Sequence, residues 1–310
     1  SADEAESVRA QTVARCREIG AWDPASIVVS AHDGTGIDDL KILVEMKLSE
    51  RTTPVAAKPW LYIDRTFTVQ GSGKVATGRL MGGELSKTDR IRILPAGYEA
   101  RIRSIQSYYT DADIVSPVSR VALNLAGGEV EGLTRGDCVV GDDTDHEAAG
   151  EFVIDFRRDF GIATDAPAPR SNTEVEVAVG TGHYRGRVFP LPDSSLIRIV
   201  AETAIPAKWH QRVLLIQHGG SRILGGGPIA WIGPSSRKQR HRMASLPADV
   251  GLPSLTRFEF QVECTGYGMR GDSSEGSTRS SHIKSGQWYF LRADLETWVA
   301  AIIAMCENSP

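Results

Sequence analysis

The chain has 310 residues, 41% of them hydrophobic and 24% charged, with a formal net charge of −4. Such a composition excludes wholesale disorder, allows two or three domains, and excludes nucleic-acid binding through bulk charge, so that any such contact needs a local patch. No run approaches ~18 uninterrupted apolar residues, and the acidic start Ser1-Ala2-Asp3-Glu4 lacks a secretory signal's basic-then-apolar pattern, so no membrane contact is expected. In chain order, residues 4–18 alternate apolar and charged positions at helical spacing and run out at Gly20 and Pro24. Ser26-Ile27-Val28-Val29-Ser30-Ala31 is a short apolar run suited to a buried parallel strand. Asp33-Gly34-Thr35-Gly36 reads as a turn, with Thr35 the expected N-cap of a helix over 37–48 that carries Ile37, Leu40, Leu43, Val44 and Met46 along one side. Helix, strand and helix read as the tail of an α/β domain at 1–50.

From Trp60 the period falls to two. Strands are expected over 61–69, 74–80, 90–94, 99–108, 120–125 and 137–140, separated by Gly, Pro and Asp turns. Strands at about ten-residue spacing predict a closed antiparallel barrel, placed at 58–143. A second series, 151–156, 173–179, 183–190, 195–201, 212–217 and 223–232, predicts a second barrel at 147–238. A strand over 287–291, a helix over 294–306 and a Gly/Ser-rich loop over 266–281 predict a winged-helix-like α+β tail at 243–310. The expected fold is mainly β, with two consecutive antiparallel barrels between an N-terminal α/β remnant and this tail.

Few segments carry chemistry by themselves. Cys16, Cys138, Cys264 and Cys306 form no CxxC pair, which excludes a paired-cysteine zinc site and a disulfide scaffold and fits a reducing cytoplasm. Gly71-Ser72-Gly73-Lys74 lacks the leading spaced glycine and the following Ser/Thr of a phosphate loop and lies between β segments, so a hairpin turn is expected. Gly225-Gly226-Gly227-Pro228 precedes an apolar strand, where glycines let two backbones pass closely. Arg270-Gly271-Asp272 reads as a solvated loop. The histidines are scattered, His146-Glu147 has no HExxH partner, and no Ser/His/Asp or paired-carboxylate set stands out. In Arg237-Lys238-Gln239-Arg240-His241-Arg242, four fixed charges stand at the junction of barrel and tail. Two readings stay open there: a solvated linker, or phosphate contact by Arg237, Lys238, Arg240 and Arg242 through counterion release from RNA.

Val28-Val29-Ser30-Ala31, the acidic turn and Gly36-Ile37-Asp38-Asp39-Leu40 resemble the end of a GTPase domain, in which the Ser-Ala backbone, here Ser30 and Ala31, walls the guanine base. Asp64-Arg65-Thr66-Phe67-Thr68-Val69 and Gly71-Ser72-Gly73-Lys74-Val75-Ala76-Thr77-Gly78-Arg79 strongly resemble the second domain of elongation factor Tu and its relatives. Arg120-Val121-Ala122-Leu123-Asn124-Leu125-Ala126-Gly127 and Arg135-Gly136-Asp137 are similar to that domain's closing pattern. Within the superfamily, Arg65, Arg120 and the ALNLAG run resemble the selenocysteine-specific elongation factors. Gly180-Thr181-Gly182-His183 and Ile223-Leu224-Gly225-Gly226-Gly227 look like their third domain, and the tail with Trp298 like their first winged helix. The resemblance covers nearly the whole chain.

It implies a fragment of a factor that binds selenocysteyl-tRNA and delivers it to the ribosome, with GTP and Mg2+ as cofactors of the full-length parent. The family's phosphate loop and switch regions would precede Ser1, so the chain alone is expected neither to bind nor to hydrolyse GTP. The selenoprotein messenger-RNA hairpin would be gripped by later winged helices missing here. The resemblance also implies an aminoacyl pocket of Asp64, Arg65, Phe67, Thr77 and Arg120. A selenol is more acidic than a thiol (~8.5) and is an anion at neutral pH, whereas the serine precursor is neutral. Guanidinium groups would favour the former and be left without an anion by the latter. Three other readings remain: surface arginines paired with Asp64 or Asp137, a related GTPase handling ordinary aminoacyl-tRNA, and a GTPase-independent RNA-binding adaptor.

Overall fold

The structure, a computed structural model, describes residues 2–20, 25–50, 58–69, 73–127, 129–142, 145–158, 166–220, 222–246, 256–269, 280–285 and 287–307. Two helices come first, α1 (Ala2–Gly20) and α2 (Ile37–Ser49). The nine strands that follow are β1 (Trp60–Val69), β2 (Gly73–Met81), β3 (Leu85–Ser86), β4 (Arg90–Leu94), β5 (Tyr98–Ser107), β6 (Thr110–Ala112), β7 (Ile114–Val115), β8 (Ser119–Ala126) and β9 (Cys138–Gly141). Next come β10 (His146–Asp155), β11 (Thr173–Val179), β12 (Gly182–Pro190), β13 (Leu196–Lys208), β14 (Arg212–Gln217) and β15 (Ile223–Ile232). The tail holds α3 (Arg237–Ala244), α4 (Arg257–Thr265), β16 (Tyr267–Met269), β17 (His282–Ser285), β18 (Trp288–Leu291) and α5 (Arg292–Glu307).

The first sheet closes through β4-β9-β1-β2-β8-β5 and back to β4, with β6 on the outside of β5. The second closes through β10-β13-β12-β11-β14-β15. Period-two sequence builds both. In β8 the side chains of Val121, Leu123 and Leu125 fill the interior while Arg120, Ala122 and Asn124 face out, and in β11 Val175, Val177 and Val179 do the same for the second barrel. The β9 run Cys138-Val139-Val140 breaks alternation because both its faces are covered. Val139 joins the core of the first barrel, whereas Cys138 and Val140 join Tyr62 and Leu94 in the core of the second. Burial pushes the Cys138 thiol well above its ordinary pKa, so it behaves as a small apolar side chain.

That shared core fastens one barrel to the other. Tyr62 passes its ring into the second barrel, donates its hydroxyl to Pro206 O at 2.8 Å and accepts from Gln211 Nε2 at 2.8 Å. Thr181 Oγ1 donates to Ile63 O at 2.6 Å, Arg135 Nε to Thr181 O at 2.7 Å, and Tyr184 Oη to Gly136 O at 2.9 Å. Gly180 sits at φ 58 with the Tyr62 ring where a Cβ would stand, 2.4 Å away. Only glycine meets both demands. The triple glycine serves the close approach expected of it, since a Cβ on Gly227 would fall 1.7 Å from Asp155 O.

Several local expectations need correction. Residues 26–31 form no strand. A parallel strand needs neighbours to satisfy its backbone, and none flanks this segment among the described residues; Ser30 N instead donates to Thr35 O at 2.9 Å. Gly36 at φ 71, not Thr35, is the N-cap of α2, and no side chain caps it. The basic run is helix α3, started by a capping box of Ser236 and Gln239. The tail carries a three-stranded sheet, β16-β18-β17, because Tyr267–Met269 pairs with β18 where a loop was expected. Residues 270–279, with Arg270-Gly271-Asp272, and Gly71-Ser72 lie outside the described residues. Met243, Phe260 and Cys264 pack with Val153, Leu196 and Ala230, so α3 and α4 are docked on the second barrel.

Candidate functional site

The outer face of the first barrel gathers the five residues expected to line the aminoacyl pocket. β1 carries a bulge between Ile63, opposite Gly78, and Arg65, opposite Thr77, so that Asp64 is the extra residue. Gly78 permits it, because a Cβ there would meet Tyr62 O at 2.3 Å. The bulge presents the Asp64 carboxylate to its neighbours. Thr77 Oγ1 donates to Asp64 Oδ1 at 2.7 Å, and the Arg120 guanidinium forks onto the carboxylate, at 2.7 Å to Oδ2 and 3.0 Å to Oδ1. The Asp64 side chain is 23% exposed and that of Arg120 56%, so the pair is half in solvent and worth ~1 kcal/mol or less to stability.

Arg65 and Phe67 stand on the same face. Arg65 is opposite Thr77, Thr77 is opposite Ala122, and Arg120 lies one two-residue step from Ala122 along β8. The two arginines are thus about 10 Å apart across the sheet and ~7 Å along it, within reach of one ligand for side chains of that length. Arg65 is exposed and makes no side-chain hydrogen bond or ion pair among the described residues. Phe67 is 48% exposed and offers an apolar ring beside it. Sequence reasoning passed over Arg79, which lies directly opposite Arg120. Like charges facing each other across strands are unfavourable, so Asp64 offsets one of three arginines and the face keeps a surplus of positive charge. Alternation along β2 was the available signal, since Arg79 shares the outward parity of Thr77.

Ser30 is half-buried and Ala31 exposed, at the mouth of a compact turn. Gly34 N donates to Ser30 O at 3.0 Å and Thr35 N to Asp33 Oδ1 at 3.0 Å; the Thr35 amide, helped by the Thr35 and Ser30 hydroxyls, holds the Asp33 carboxyl below its usual range. Gly73 and Lys74 open β2 opposite Val69 and Thr68, so they lead into a strand and not into the helix N-terminus that cradles phosphates. The described residues therefore do not fit a whole GTP.

The helical period sorts the basic run on α3. Arg237, Arg240, His241 and Ala244, at i, i+3, i+4 and i+7, share one face and line a cleft of about 550 Å3 against the β12–β13 turn. Arg242 points the other way, into an ion pair with Asp294 of α5 at 2.5 Å, where a Cβ on Gly266 would also collide with that carboxylate. Its charge is used inside the fold. Arg240 donates to Ser235 O, and Lys238 is exposed away from the cleft.

No protein-family model matches the chain. It is 28% identical over 255 residues to a selenocysteine-specific elongation factor of Desulfomicrobium baculatum, covering 78% of this chain and 39% of that protein. With the selenocysteine-specific elongation factor of Escherichia coli it shares 26% over 292 residues, covering 87% of this chain and 46% of that one. The chain therefore spans less than half the length of these curated relatives. The crystal structure of a bacterial selenocysteine-specific elongation factor superposes with a TM-score of 0.79 at 18% identity, covering 100% of this chain and 53% of that one. A second, from Methanococcus maripaludis in complex with a GTP analogue, gives a TM-score of 0.62 at 19% identity over 74% of this chain and 56% of that one.

Proposed function

We propose that this chain, which belongs to the elongation factor Tu-like family of translation factors, is the tRNA-holding part of a selenocysteine-specific elongation factor. In this reading the outer face of the first barrel receives the selenocysteyl end of its tRNA. One observation carries the reading: Arg65, Arg79 and Arg120 share that face, and the Asp64 carboxylate among them is gripped by Arg120 alone, which leaves net positive charge where an anionic selenolate would gain from it. Arg65 would be the first anion contact, Arg120 a guanidinium already oriented by Asp64, and Phe67 an apolar flank. A neutral serine would gain little of this field. At ~4 Å and an effective dielectric of ~20 a unit pair gains ~4 kcal/mol, and exposure of these arginines reduces that to ~1–2 kcal/mol, or roughly five- to thirtyfold. In the whole protein, GTP and Mg2+ would be held by a nucleotide domain to which Ser30 and Ala31 contribute the base wall, and delivery to the ribosome would follow. The selenoprotein messenger RNA would be a further partner.

The test is binding of selenocysteyl-tRNA and seryl-tRNA, under reducing conditions, to the chain and to its Arg65→Ala and Arg120→Ala variants. Both variants should lose preference for selenocysteine, and seryl-tRNA binding should stay within about twofold. Retention of the full preference by both would refute the reading.

A further inference from the structure

The cleft between α3 and the β12–β13 turn has two unlike walls. One is cationic, formed by Arg237 and Arg240 beside the His241 imidazole, with Arg198 of β13 at its edge. The other is apolar and stiff: Pro190, Leu191 and Pro192 run along it. Leu191 belongs to the cluster that docks α3 and α4 on the barrel, so this wall is fixed to the same core as the helix that faces it. Of the arginines on the cationic wall, only Arg198 is neutralised by an internal anion among the described residues. Arg198 is satisfied by Glu151 at 2.9 Å and lies over the Phe189 ring at 4.5 Å, and Arg240 spends one nitrogen on Ser235 O. The side chains of Arg237 and His241 have no hydrogen-bonding or ionic partner among the described residues, and Asp193 is the one carboxylate on the lining. Converging guanidinium groups repel unless an anion lies between them.

We infer that this cleft binds one unstacked nucleotide of an RNA strand, its phosphate on Arg237, Arg240 and His241 and its base and ribose along Pro190–Pro192. A volume of about 550 Å3 lies within the range of small-ligand sites and suits one nucleotide, not a duplex. Single-stranded nucleic acid is held by a cationic track beside a surface against which bases pack, most often aromatic; here the prolines and Leu191 supply the apolar surface. The inference gives the basic run a ligand and a geometry, and it rests on the reading of the chain as an RNA-handling factor. It also reassigns the run: Arg237 and Arg240 contact RNA, Arg242 holds the tail, and Lys238 contributes only general charge.

The experiment is fluorescence anisotropy of a labelled oligouridylate with the full chain over a series of salt concentrations, together with photocrosslinking of its 4-thiouridine form. Arg237→Ala and Pro192→Asp should each weaken binding at least about fivefold, and Arg237→Ala should lower the slope of log affinity against log salt by ~1. Lys238→Ala, outside the cleft, should change affinity less than about twofold, and crosslinks should fall on 189–193 or on α3. Equal losses for Arg237→Ala and Lys238→Ala, or crosslinks confined to other surfaces, would overturn the inference. The selenocysteine preference of the same cleft variants separates the two ideas. If it persists while the oligouridylate result fails, only the cleft is wrong; if selenocysteyl-tRNA is not bound by the unaltered chain, the broader reading falls.

Discussion

Replacing Asp64 by asparagine tests whether charge, and not shape, governs the outer face of the first barrel. Asparagine keeps the size of the side chain and an oxygen that can accept from Thr77, whose hydroxyl now donates to Asp64 Oδ1 at 2.7 Å. It removes the negative charge that the Arg120 guanidinium grips at 2.7 Å. In stability the cost is small, ~1 kcal/mol or less, because the Arg120 side chain is 56% exposed. For an anionic ligand the sign reverses. Deleting a unit negative charge ~6 Å from the ligand, at an effective dielectric of ~40 on this half-exposed surface, removes ~1.4 kcal/mol of repulsion, about tenfold in affinity. Selenocysteyl-tRNA should therefore bind the Asp64→Asn chain about three- to tenfold more tightly, while seryl-tRNA changes little. The gain should shrink in ~0.5 M salt, where charges at the surface are screened. The assay is protection of the aminoacyl ester from hydrolysis, titrated with protein at two salt concentrations and compared with Arg65→Ala, which must shift in the opposite direction. Weakening by Asp64→Asn equal to that of Arg65→Ala would refute the electrostatic argument.

Two further outcomes concern the framework that positions this face. Gly180→Ala places a methyl 2.4 Å from the Tyr62 ring at φ 58, so the barrels must part or the ring must move; a loss of ~3 kcal/mol is expected by denaturant melting, and a loss under ~1 kcal/mol would show that the junction yields. His146, 2% exposed beneath the Trp60 ring, has its pKa lowered by burial from 6.5 to about 4; the Asp145 carboxylate pulls it up and Lys208 pushes it further down. Because the folded pKa is the depressed one, the neutral imidazole's contribution is present above pH 6.5 and is lost as pH falls toward 4, amounting to ~3 kcal/mol at ~1.4 kcal/mol per unit. Stability curves of the chain and of His146→Phe should diverge over that window and not above it, and parallel curves would contradict the buried neutral histidine.

The sequence by itself determined the elements whose signal is local. Val121, Leu123 and Leu125 alternate with outward residues, and that period fixes both the strand and the face it buries, whatever its partners turn out to be. The helix expected over 37–48 and the hairpin at Gly73 were legible in the same way, whereas Arg65 and Arg120 were singled out by a family resemblance and not by any pattern of spacing. Only the tertiary structure decided what lies far apart in the chain and close in space. The Asp64–Arg120 fork joins residues 56 positions apart and depends on a bulge that shifts the register of β1 by one residue. Whether residues 26–31 form a strand depended on neighbours to complete their hydrogen bonds, and apolar content could not supply them. The basic run looked uniform in one dimension; one turn of helix and one salt bridge to Asp294, 52 residues on, divided it into a cleft face, a structural arginine and a solvent-facing lysine. Local pattern sets dihedral angles and faces, but charge pairing, register and cavities belong to closure of the barrels, where residues with no local relation are forced to share space.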